Sequence, residues 1–599
     1  MNDSPDDLAE ALALHRAGRL AEAEALYRAV LDRHADDDGD AAHLLGLAVL
    51  QQGRADETAA ILAEVAGRHP RRADVRNNLG VAWQAAGRWP EAARAFQAAI
   101  EADPRYVPAF VNLGRLMERR RLFADAEKCY RHAIELAPDD VELRRALGNA
   151  LQAAERWDEA ADAYRQALAL DDEHLDTRVE LGYVLTRGER LDEAADLFRG
   201  VLEARPDFAE IHNNLSYVLE RQGRLAEATA AVRRALALRP DYAEGFNNLG
   251  TALRGEHRLG EAIEAFRAAL ALRPEFPLAE FNLGTTHLLA GDYAAGWPGY
   301  ERRDAALGVP PRFADARKWN GEPLSGGTLF VYADQGFGDA LQFARFLPAA
   351  RARANARIVF ESPPELATLF EGLEGIDELI VAGTPPPAFD RWIPLASLPG
   401  ILGTTLDALP ADTPYIRPPT GIDEGLAELL RLPDDPRLIV GIVWRGNPRQ
   451  ARDVVRSCPP RHLSPLLETP AVQFFSLQAG NDAFRELAEV LPQPELVIDL
   501  GGRLRDFRDT AAALRRLDLL ISVDTAAAHL AGALGRPVWT LLCRTPDWRW
   551  GLARDDSPWY PTMRLFRQER WGDWPGVIAA VGKALAELAG APNDRPEQS

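Results

Sequence analysis

The first half of the chain alternates amphipathic helical segments with tight turns at a fixed interval. A small residue recurs every 34 positions, usually after leucine, and a turn follows most of these positions seven residues later, as at Gly53 and Gly87. Helix starts of the type "EA" or "DEA" usually come next. Apolar residues with helical spacing on both sides of a turn predict pairs of antiparallel helices that cross closely at the small residues. These residues are Gly46, Gly80, Gly114, Gly148, Gly182, Ser216, Gly250 and Gly284.

After "GDYAAGWPGYERRD" the period stops, and short apolar runs separated by helical sequence replace it. The segment 326–347 predicts a strand, a glycine turn and a helix, and 356–362, 378–382 and 391–395 predict further strands. Beyond the proline-rich "PADTPYIRPPTG", a second set of strands is predicted at "RLIVGIVWRGN", "VQFFSLQ", "ELVIDL", "LDLLISVD" and "PVWTLL". Two successive series of strands and helices predict two Rossmann-like lobes, which bind ligands at the carboxyl ends of their strands.

Composition narrows the class of protein. A chain of 599 residues is too long to form a single hydrophobic core and should divide into several domains. Its net charge of −21 argues against nucleic acid or an anionic membrane as the main partner. The three cysteines, Cys129, Cys458 and Cys543, lie far apart and form neither a disulfide framework nor a metal-finger spacing. The acidic N-terminus lacks the apolar stretch of a signal peptide, and no apolar run reaches the ~18 residues of a membrane span. We therefore expect a soluble, cytoplasmic protein.

Over roughly residues 7–300, the 34-residue pattern resembles the tetratricopeptide repeat. Two positions before the small residue, an asparagine recurs, interrupted by Ala146 and Glu180. In a tetratricopeptide superhelix this position faces the concave groove, where carboxamides can bond to an extended peptide backbone without reading its sequence. O-GlcNAc transferase, which the architecture resembles, holds its protein acceptor in this way; the alternative is that the asparagines only cap or solvate helices. The asparagines are Asn78, Asn112, Asn214, Asn248 and Asn282.

The second half carries a more specific resemblance, over about residues 320–580. The segment 522–537, "SVDTAAAHLAGALGRP", lies between two predicted strands and closely resembles heptosyltransferase-type glycosyltransferases of GT-B fold. "QGFGDALQFARFLP" is similar to the motif that opens their N-terminal lobe. Ala526 stands where heptosyltransferases usually have glycine. Together with the repeats, the chain resembles bacterial repeat-linked glycosyltransferases, including those that modify flagellin.

The Asp-Thr…His element predicts a site for the phosphates of a nucleotide-sugar donor. A helix beginning near Ala526 offers unpaired N–H groups to an anion, and the Thr525 hydroxyl can add a donor. Asp524 is itself an anion, so it is expected to cap the helix, orient His529 or bind a sugar hydroxyl. His529 follows Thr525 by one helical turn and shares its face. The alternative is an ordinary helix cap followed by a core histidine.

The loop "WRGNPRQARDVVRSCPP" (444–460) is similar to a run in the same family and predicts the cationic part of the donor site. Arg456 and Ser457 are the candidates for phosphate contact, and Asn447 for donor hydroxyls. Gln478, at a strand end, is a weaker candidate for the nucleotide. The other arginines of the loop are interpreted as solvated charges, and the aromatic cluster at 546–561 as packing between lobes.

The general base is expected from the opposite lobe. Asp339 occupies the position where heptosyltransferases keep their catalytic aspartate, and a carboxylate can accept the proton of an acceptor hydroxyl. The alternative is again a helix cap. Gln335 and Gly338 lie beside it and complete the predicted donor site. Between residues 320 and 580 no cluster has metal-ligand spacing, so transfer without metal or other cofactor is expected.

The predicted fold class is an α superhelix of tetratricopeptide repeats followed by an α/β GT-B domain. The predicted boundaries are 1–300 for the repeats, 301–325 for a linker, 326–420 for the acceptor-side lobe, 421–585 for the sugar-nucleotide lobe and 586–599 for a flexible tail.

The resemblance implies an inverting, metal-independent glycosyltransferase that acts on serine or threonine hydroxyls of a protein, flagellin among the candidates. Two alternatives stay open: a saccharide or lipid-linked acceptor, and a repeat scaffold without activity. The 300-residue repeat region argues against a small acceptor, and retention of the candidate site residues argues against decay. Both UDP-N-acetylhexosamine and a CMP-linked nonulosonic acid fit the family as donors.

Overall fold

The computed structural model confirms the predicted order, helical repeats followed by a two-lobed α/β domain. It divides into two compact units, Met1–Gln222 and Gly223–Ser599. No helix in the described part of the chain has the length and apolar character needed to cross a bilayer. The structure describes residues 5–33, 39–410, 412–417, 424–430, 437–448, 453–480 and 482–590.

The first unit consists of antiparallel helix pairs. Its helices are Pro5–Arg16 (α1), Leu20–Arg33 (α2), Asp40–Gln51 (α3), Ala55–Arg68 (α4), Ala73–Ala85 (α5), Trp89–Ala102 (α6), Val107–Arg119 (α7), Phe123–Leu136 (α8), Val141–Ala153 (α9), Trp157–Leu168 (α10), Leu175–Arg187 (α11), Leu191–Ala204 (α12) and Ala209–Arg221 (α13).

The 34-residue period has a steric origin. In each pair the small residue of the first helix faces a large buried residue of the second, in most pairs an aromatic ring. A Cβ added at Gly182 would lie 2.5 Å from Cε1 of Phe198, and one at Gly148 would lie 2.5 Å from Cε1 of Tyr164. Both rings are almost fully buried. Because the two residues lie 16 positions apart in the same pair, each repeat forms its own close crossing.

The second unit begins with helices of the same kind and continues into a four-stranded parallel sheet of order β3-β2-β1-β4. Its repeat helices are Leu225–Leu238 (α14), Ala243–Gly255 (α15), Leu259–Leu272 (α16), Pro277–Leu289 (α17) and Tyr293–Tyr300 (α18), followed by Arg303–Ala306 (α19). The elements of the first lobe are Thr328–Tyr332 (β1), Phe337–Phe343 (α20), Leu347–Ala354 (α21), Arg357–Ser362 (β2), Pro364–Phe370 (α22), Glu378–Val381 (β3), Arg391–Pro394 (β4) and Leu398–Ile401 (α23).

The second lobe contains a six-stranded parallel sheet of order β10-β9-β8-β5-β6-β7. Its elements are Glu424–Leu429 (α24), Leu438–Val443 (β5), Asp453–Arg456 (α25), Ser464–Leu467 (α26), Val472–Ser476 (β6), Ala483–Val490 (α27), Val497–Asp499 (β7), Phe507–Arg516 (α28), Leu519–Val523 (β8), Ala526–Ala533 (α29), Val538–Leu542 (β9), Met563–Arg567 (β10) and Trp574–Ala589 (α30).

All nine strands that the sequence predicts are present, and the structure adds a tenth, β10. This edge strand pairs with β9, and its sequence "MRLFR" carries two arginines in five residues. That composition weakens the apolar signal by which the other strands were recognised. Within the described residues, the predicted lobes 326–420 and 421–585 contain the strands of the first and second sheet, respectively. Most of the predicted tail, residues 591–599, lies outside the described residues.

We predict that Gly182→Ala destabilises the repeats whereas Gly200→Ala does not. The new methyl group at residue 182 would overlap Phe198, and relieving such overpacking costs about 1–3 kcal/mol. Gly200 lies in α12 of the same pair with no atom within 4 Å of an added Cβ, so alanine there should stabilise the helix by about 0.4–1 kcal/mol. Urea unfolding followed by far-ultraviolet circular dichroism measures both. Equal midpoints for the two variants would contradict the steric origin of the period.

Candidate functional site

The candidate site lies where the first turns of α20 and α29 meet, each helix following a central strand of its own sheet. Gly338 permits this approach, because a Cβ at residue 338 would lie 2.8 Å from Cδ2 of His529. The Phe337 ring packs edge-on against Phe507 of α28, at a centroid distance of 5.2 Å. The strand ends of the two lobes therefore face each other, as the sequence predicts.

Asp339 is the third residue of α20, whose N-cap is Gly336, so the carboxylate does not cap the helix. Its Oδ1 accepts a hydrogen bond from Nη2 of Arg549 in the other lobe at 2.5 Å. The side chain is 23% exposed. Burial raises the pKa of the Asp339 carboxyl, and the charge of Arg549 opposes that rise. Asp339 is thus a partly exposed carboxylate paired across the two lobes.

Arg549 is the functional candidate that the sequence analysis missed. It lies on the loop between β9 and β10, is 8% exposed, and also lies 3.4 Å from Oδ1 of Asp547. Its neighbours Trp548 and Trp550 are buried. The sequence signal that could have identified Arg549 is an arginine between two tryptophans, in "DWRWG". The sequence analysis interpreted this aromatic cluster as packing between lobes.

That packing role is present as well. Trp548 packs edge-on against Trp297 and Tyr300 of α18, at centroid distances of 5.5 and 5.7 Å. On the other side of the loop, the Arg567 guanidinium donates to the carbonyl oxygens of Trp550, Gly551 and Arg554. Burial lowers the pKa of Arg567 to about 10. Contacts on both sides of Arg549 hold the loop in place, so the backbone position of Arg549 is fixed.

The N-terminus of α29 faces the same site. Thr525 is the N-cap residue, but its hydroxyl makes no capping bond and lies 2.9 Å from Oγ of Ser522. Within the part of the chain that the structure describes, the backbone N–H groups of Ala526 and Ala527 have no hydrogen-bond partner. Both residues are partly exposed. These two N–H groups lie at the positive end of the helix dipole, where the sequence analysis expects an anion to bind.

Asp524 does not cap α29, so the capping role considered from the sequence is wrong. Its side chain is 15% exposed, and Oδ1 lies 3.8 Å from Nε2 of His529. Burial and the neighbouring Asp547 carboxylate raise the pKa of Asp524, whereas the charges of Arg549 and Arg456 lower it. Of the roles predicted for Asp524, contact with His529 is the one that the geometry shows.

His529 lies in the core, with 2% of its surface exposed. Its Nδ1 is 2.9 Å from the Tyr560 hydroxyl, and its ring lies 5.2 Å from the Trp550 ring. Burial, and then the charges of Arg549 and other arginines, hold the pKa of His529 well below its usual value. With 2% exposure, the imidazole has little surface open to a donor, so the geometry favours a positioning role through Asp524.

The loop after β5 brings Arg456 to the site. The Ser457 hydroxyl accepts a bond from the Gly446 N–H at 3.0 Å and donates to Oδ1 of Asp453 at 3.0 Å. Arg456 Nε lies 3.3 Å from the same Asp453 oxygen. The positive charge of Arg456 lowers the pKa of Asp524, although burial raises that pKa by more. The two hydrogen bonds of Ser457 stabilise the loop, and Arg456 is the positively charged side chain next to them.

The Gln478 amide is hydrogen-bonded to the backbone at the start of the loop after β5. Its Oε1 accepts from the N–H groups of Trp444 and Arg445 at 3.1 and 2.9 Å, and its Nε2 donates to the Arg445 carbonyl at 3.1 Å. Asn447 is exposed on this loop. Arg449 and Arg452, predicted to be solvated, lie outside the described residues.

Gln335 belongs to the first lobe and points back into it. Its Nε2 lies 3.4 Å from Oδ2 of Asp334, which is paired with the buried Arg303 at 2.7 Å. Arg303 also donates to the Ser397 hydroxyl at 2.9 Å. The turn that begins α20 is therefore anchored to the segment following the last repeat helix.

Comparison with known proteins identifies both parts of the chain. Two tetratricopeptide repeat models match, one at residues 8–67, 44–107, 145–207, 179–243 and 247–307, and the other at 84–150. The model "Glycosyltransferase family 9 (heptosyltransferase)" matches residues 471–572. The chain carries tetratricopeptide repeats and a glycosyltransferase family 9 domain. This domain indicates a glycosyltransferase.

Individual relatives share only parts of the chain. Protein FlbA of Caulobacter vibrioides is 30% identical over 332 residues, which cover 51% of this chain and 54% of that protein. The chain thus spans about half the length of this relative. The crystal structure of YrrB, described as a TPR protein with an unusual peptide-binding site, is 25% identical and covers 31% of this chain and 96% of its own, with a TM-score of 0.28. MamA is 18% identical over 28% of this chain and 92% of its own, with a TM-score of 0.27.

The match to family 9 includes Asp524, Thr525, His529 and Arg549, whereas Asp339 and Arg456 lie outside the matched range. In the described residues, no three histidine, cysteine, aspartate or glutamate side chains are grouped so that they could hold a metal ion.

The repeat asparagines are tied across neighbouring repeats. Asn112 Nδ2 donates to Oδ1 of Asn77 at 2.9 Å, and Asn78 Nδ2 lies 2.7 Å from Nε2 of His43. In the second unit, Asn282 Nδ2 donates to Oδ1 of Asn247 at 3.0 Å. These bonds fix the orientation of each carboxamide. Asn214 and Asn248 occupy the same repeat position and are partly exposed.

The buried His529 predicts a specific pH dependence of stability. Its folded pKa lies below the unfolded value of about 6.5, so its contribution is complete above that pH and is lost as the pH falls. Down to the folded pKa, the loss approaches about 1.4 kcal/mol per pH unit. We expect the free energy of unfolding of His529→Gln to fall less than that of the native protein between about pH 7.5 and about pH 5.5. Parallel curves from urea unfolding would show that the pKa of His529 is the same in the folded and unfolded states, and would contradict the prediction.

Proposed function

We propose that this chain is a cytoplasmic, inverting, metal-independent glycosyltransferase that transfers a sugar from a nucleotide-sugar donor to serine or threonine hydroxyls of a protein. The observation that carries the proposal is the placement of Asp339 opposite the open N-terminus of α29, with Arg549 joining the two lobes at 2.5 Å from the carboxylate. A proton acceptor and an anion-binding helix end on opposite sides of one cleft suit an in-line displacement at an anomeric carbon.

In this mechanism the acceptor oxygen forms a bond to the anomeric carbon as the bond from that carbon to the donor phosphate breaks. The hydroxyl proton passes to Asp339, and the nucleotide leaves with the bonding electron pair. Attack from the face opposite the leaving group inverts the configuration. The developing phosphate charge is met by the N–H groups of Ala526 and Ala527, by the Thr525 hydroxyl and by Arg456.

Two electrostatic features support the assignment of Asp339 as the base. Burial raises the pKa of its carboxyl, which strengthens it as a proton acceptor once ionised. Arg549 keeps the carboxylate charged and aimed, because its guanidinium is fixed by a buried loop. With two fixed cations and a helix terminus at the site, stabilisation of the leaving group needs no metal ion. No other cofactor is part of the proposal.

The repeats support a protein as the acceptor. The partly exposed Asn112 donates through Nδ2 to Asn77, so its Oδ1 can accept from an N–H group of an extended peptide, whereas Asn282 is buried. The resemblance to flagellin-modifying, repeat-linked glycosyltransferases makes flagellin the first acceptor to test. A lipid-linked or free saccharide is the second candidate for the same chemistry.

The base is tested with Asp339→Asn, which keeps the size of the side chain and removes most of its basicity. We expect normal nucleotide affinity and a loss of transfer of about 10²–10⁴-fold. Asp547→Asn is the matched control, because Asp547 also contacts Arg549 but is not placed as the base; it should retain transfer within about tenfold. Radiolabelled sugar transfer and nucleotide titration calorimetry measure the two effects. Near-normal transfer by Asp339→Asn would remove Asp339 from the mechanism.

The donor site is tested by nucleotide binding in excess EDTA. The protein should bind a nucleoside diphosphate or CMP, and Arg456→Ala should weaken binding by about 1.5–3 kcal/mol, the value of a charged hydrogen bond. Arg445→Ala is the control, because Arg445 belongs to the same loop but pairs with Glu486 at 2.9 Å. Nucleotide binding that appears only with magnesium or manganese would overturn the metal-independent mechanism.

A further inference from the structure

The series of groove asparagines is interrupted in the middle of the first unit by Ala146 and Glu180. The interruption is filled by a different pair, since Nη1 of Arg145 donates to Oε1 of Glu180 at 3.3 Å. This pair joins the same two repeat positions as the bond between Asn77 and Asn112. An ion pair therefore replaces the amide–amide bond, and at these two repeats no carboxamide is offered to a peptide backbone.

Two tyrosines lie on the groove face at the same level. Tyr183 follows Glu180 by three residues, and Tyr217 follows Asn214 by three, so each tyrosine lies one turn further along the same helix face. Their side chains are 42% and 43% exposed, unusually high for aromatic residues of this chain. The other helices of the first unit carry Leu47, Val81, Arg115 and Asn149 at this repeat position.

Small and apolar residues extend the surface between the tyrosines and the neighbouring helix. Ala146 has a shorter side chain than the asparagines of the other repeats, and Val179 stands between Arg145 of the preceding repeat and Asn213 of the following one. Ala146 and Val179 are both partly exposed. We call Ala146, Val179, Tyr183 and Tyr217 the central patch. Apart from the Tyr217 hydroxyl, which accepts from Arg221 Nη1 at 3.4 Å, the side chains of the central patch offer apolar and aromatic surface.

Two arginines beside the central patch are paired with acidic residues. Arg145 binds Glu142 at 2.6 Å in addition to Glu180, and Arg221 binds Glu189 at 2.7 Å. Arg187 lies over the Trp157 ring, 5.0 Å from its centroid. An acidic guest would lose hydration and would compete with these glutamates for Arg145 and Arg221, whereas an apolar guest would gain from burial.

We propose that the central patch binds an apolar side chain of an extended acceptor segment. The backbone of that segment is held by Asn112 on one side and Asn214 on the other. This inference rests on the proposed function and deepens it, because it gives the groove a preference for acceptor sequence. The acceptor class is a polypeptide segment with leucine, tyrosine or a similar residue within an otherwise small and polar stretch.

The test uses the full chain and labelled peptides of about 20 glycine and serine residues, a length that spans several repeats when extended. Each peptide carries one central guest: alanine, leucine, tyrosine, glutamate or lysine. Fluorescence anisotropy should show leucine and tyrosine guests binding about tenfold tighter than alanine, the ratio expected from partial burial of such a side chain. Glutamate and lysine should bind no tighter than alanine.

Variants separate the central patch from the backbone-binding asparagines. The double variant Tyr183→Ser, Tyr217→Ser should lower the affinity for the leucine peptide to that for the alanine peptide. Its affinity for the alanine peptide should be unchanged. Asn112→Ala with Asn214→Ala should weaken all five peptides by similar factors. Leu122→Ser is the control for loss of an exposed apolar side chain, because Leu122 is 46% exposed in a turn of the same unit. It should change nothing, and nucleotide affinity should stay native throughout.

If all five peptides bind equally and the asparagine variants still weaken them, the proposed role of the central patch is wrong. The proposed function would remain intact. Tighter binding of glutamate or lysine would also overturn it, in favour of charge recognition. No binding of any guest would overturn both the central patch and the peptide-binding groove.

Discussion

The ion pair between Asp339 and Arg549 is the contact on which the site depends. It joins the first turn of a helix in one lobe to a loop of the other, and both partners are largely withdrawn from solvent. A buried charge that loses its partner is strongly destabilising, so this contact strongly favours the paired geometry of the lobes. The neighbouring contacts, Gly338 against His529 and Phe337 against Phe507, are compatible only with that close arrangement.

Burial, followed by the neighbouring carboxylate Asp547, raises the pKa values of Asp339 and Asp524 beside this pair. Asp339, Asp524 and Asp547 are all close to Arg549, so one guanidinium serves three carboxylates. Burial and mutual repulsion make ionisation of the two deeper carboxyls less favourable, whereas Arg456 and the α29 N-terminus add positive potential on the donor side. The proposed transfer needs this distribution of charge, with a proton acceptor on one side of the cleft and an open helix N-terminus on the other.

Much of the architecture could be predicted because it depends on local sequence. The small residue and its large partner, often aromatic, lie within one repeat, and the strands are apolar runs next to helical segments, so both leave a periodic signal. Asp339 and Arg456 were identified as candidates by family resemblance. Arg549 could not be found in this way, since its partner lies 210 residues away and only the tertiary fold brings them together. The burial of His529 also depends on the tertiary fold, so the motif alone left both a site histidine and a core histidine open.

The steric pairing of Gly182 with Phe198, and of Gly148 with Tyr164, has a genetic consequence. Each repeat carries both halves of its own crossing, so a duplicated or deleted block of 34 codons inserts or removes a complete structural unit. Such an event leaves the remaining crossings intact and changes only how many groove positions precede the catalytic lobes. Recombination between repeats can therefore lengthen or shorten the repeat region in whole steps, without altering the sequence of the α/β lobes.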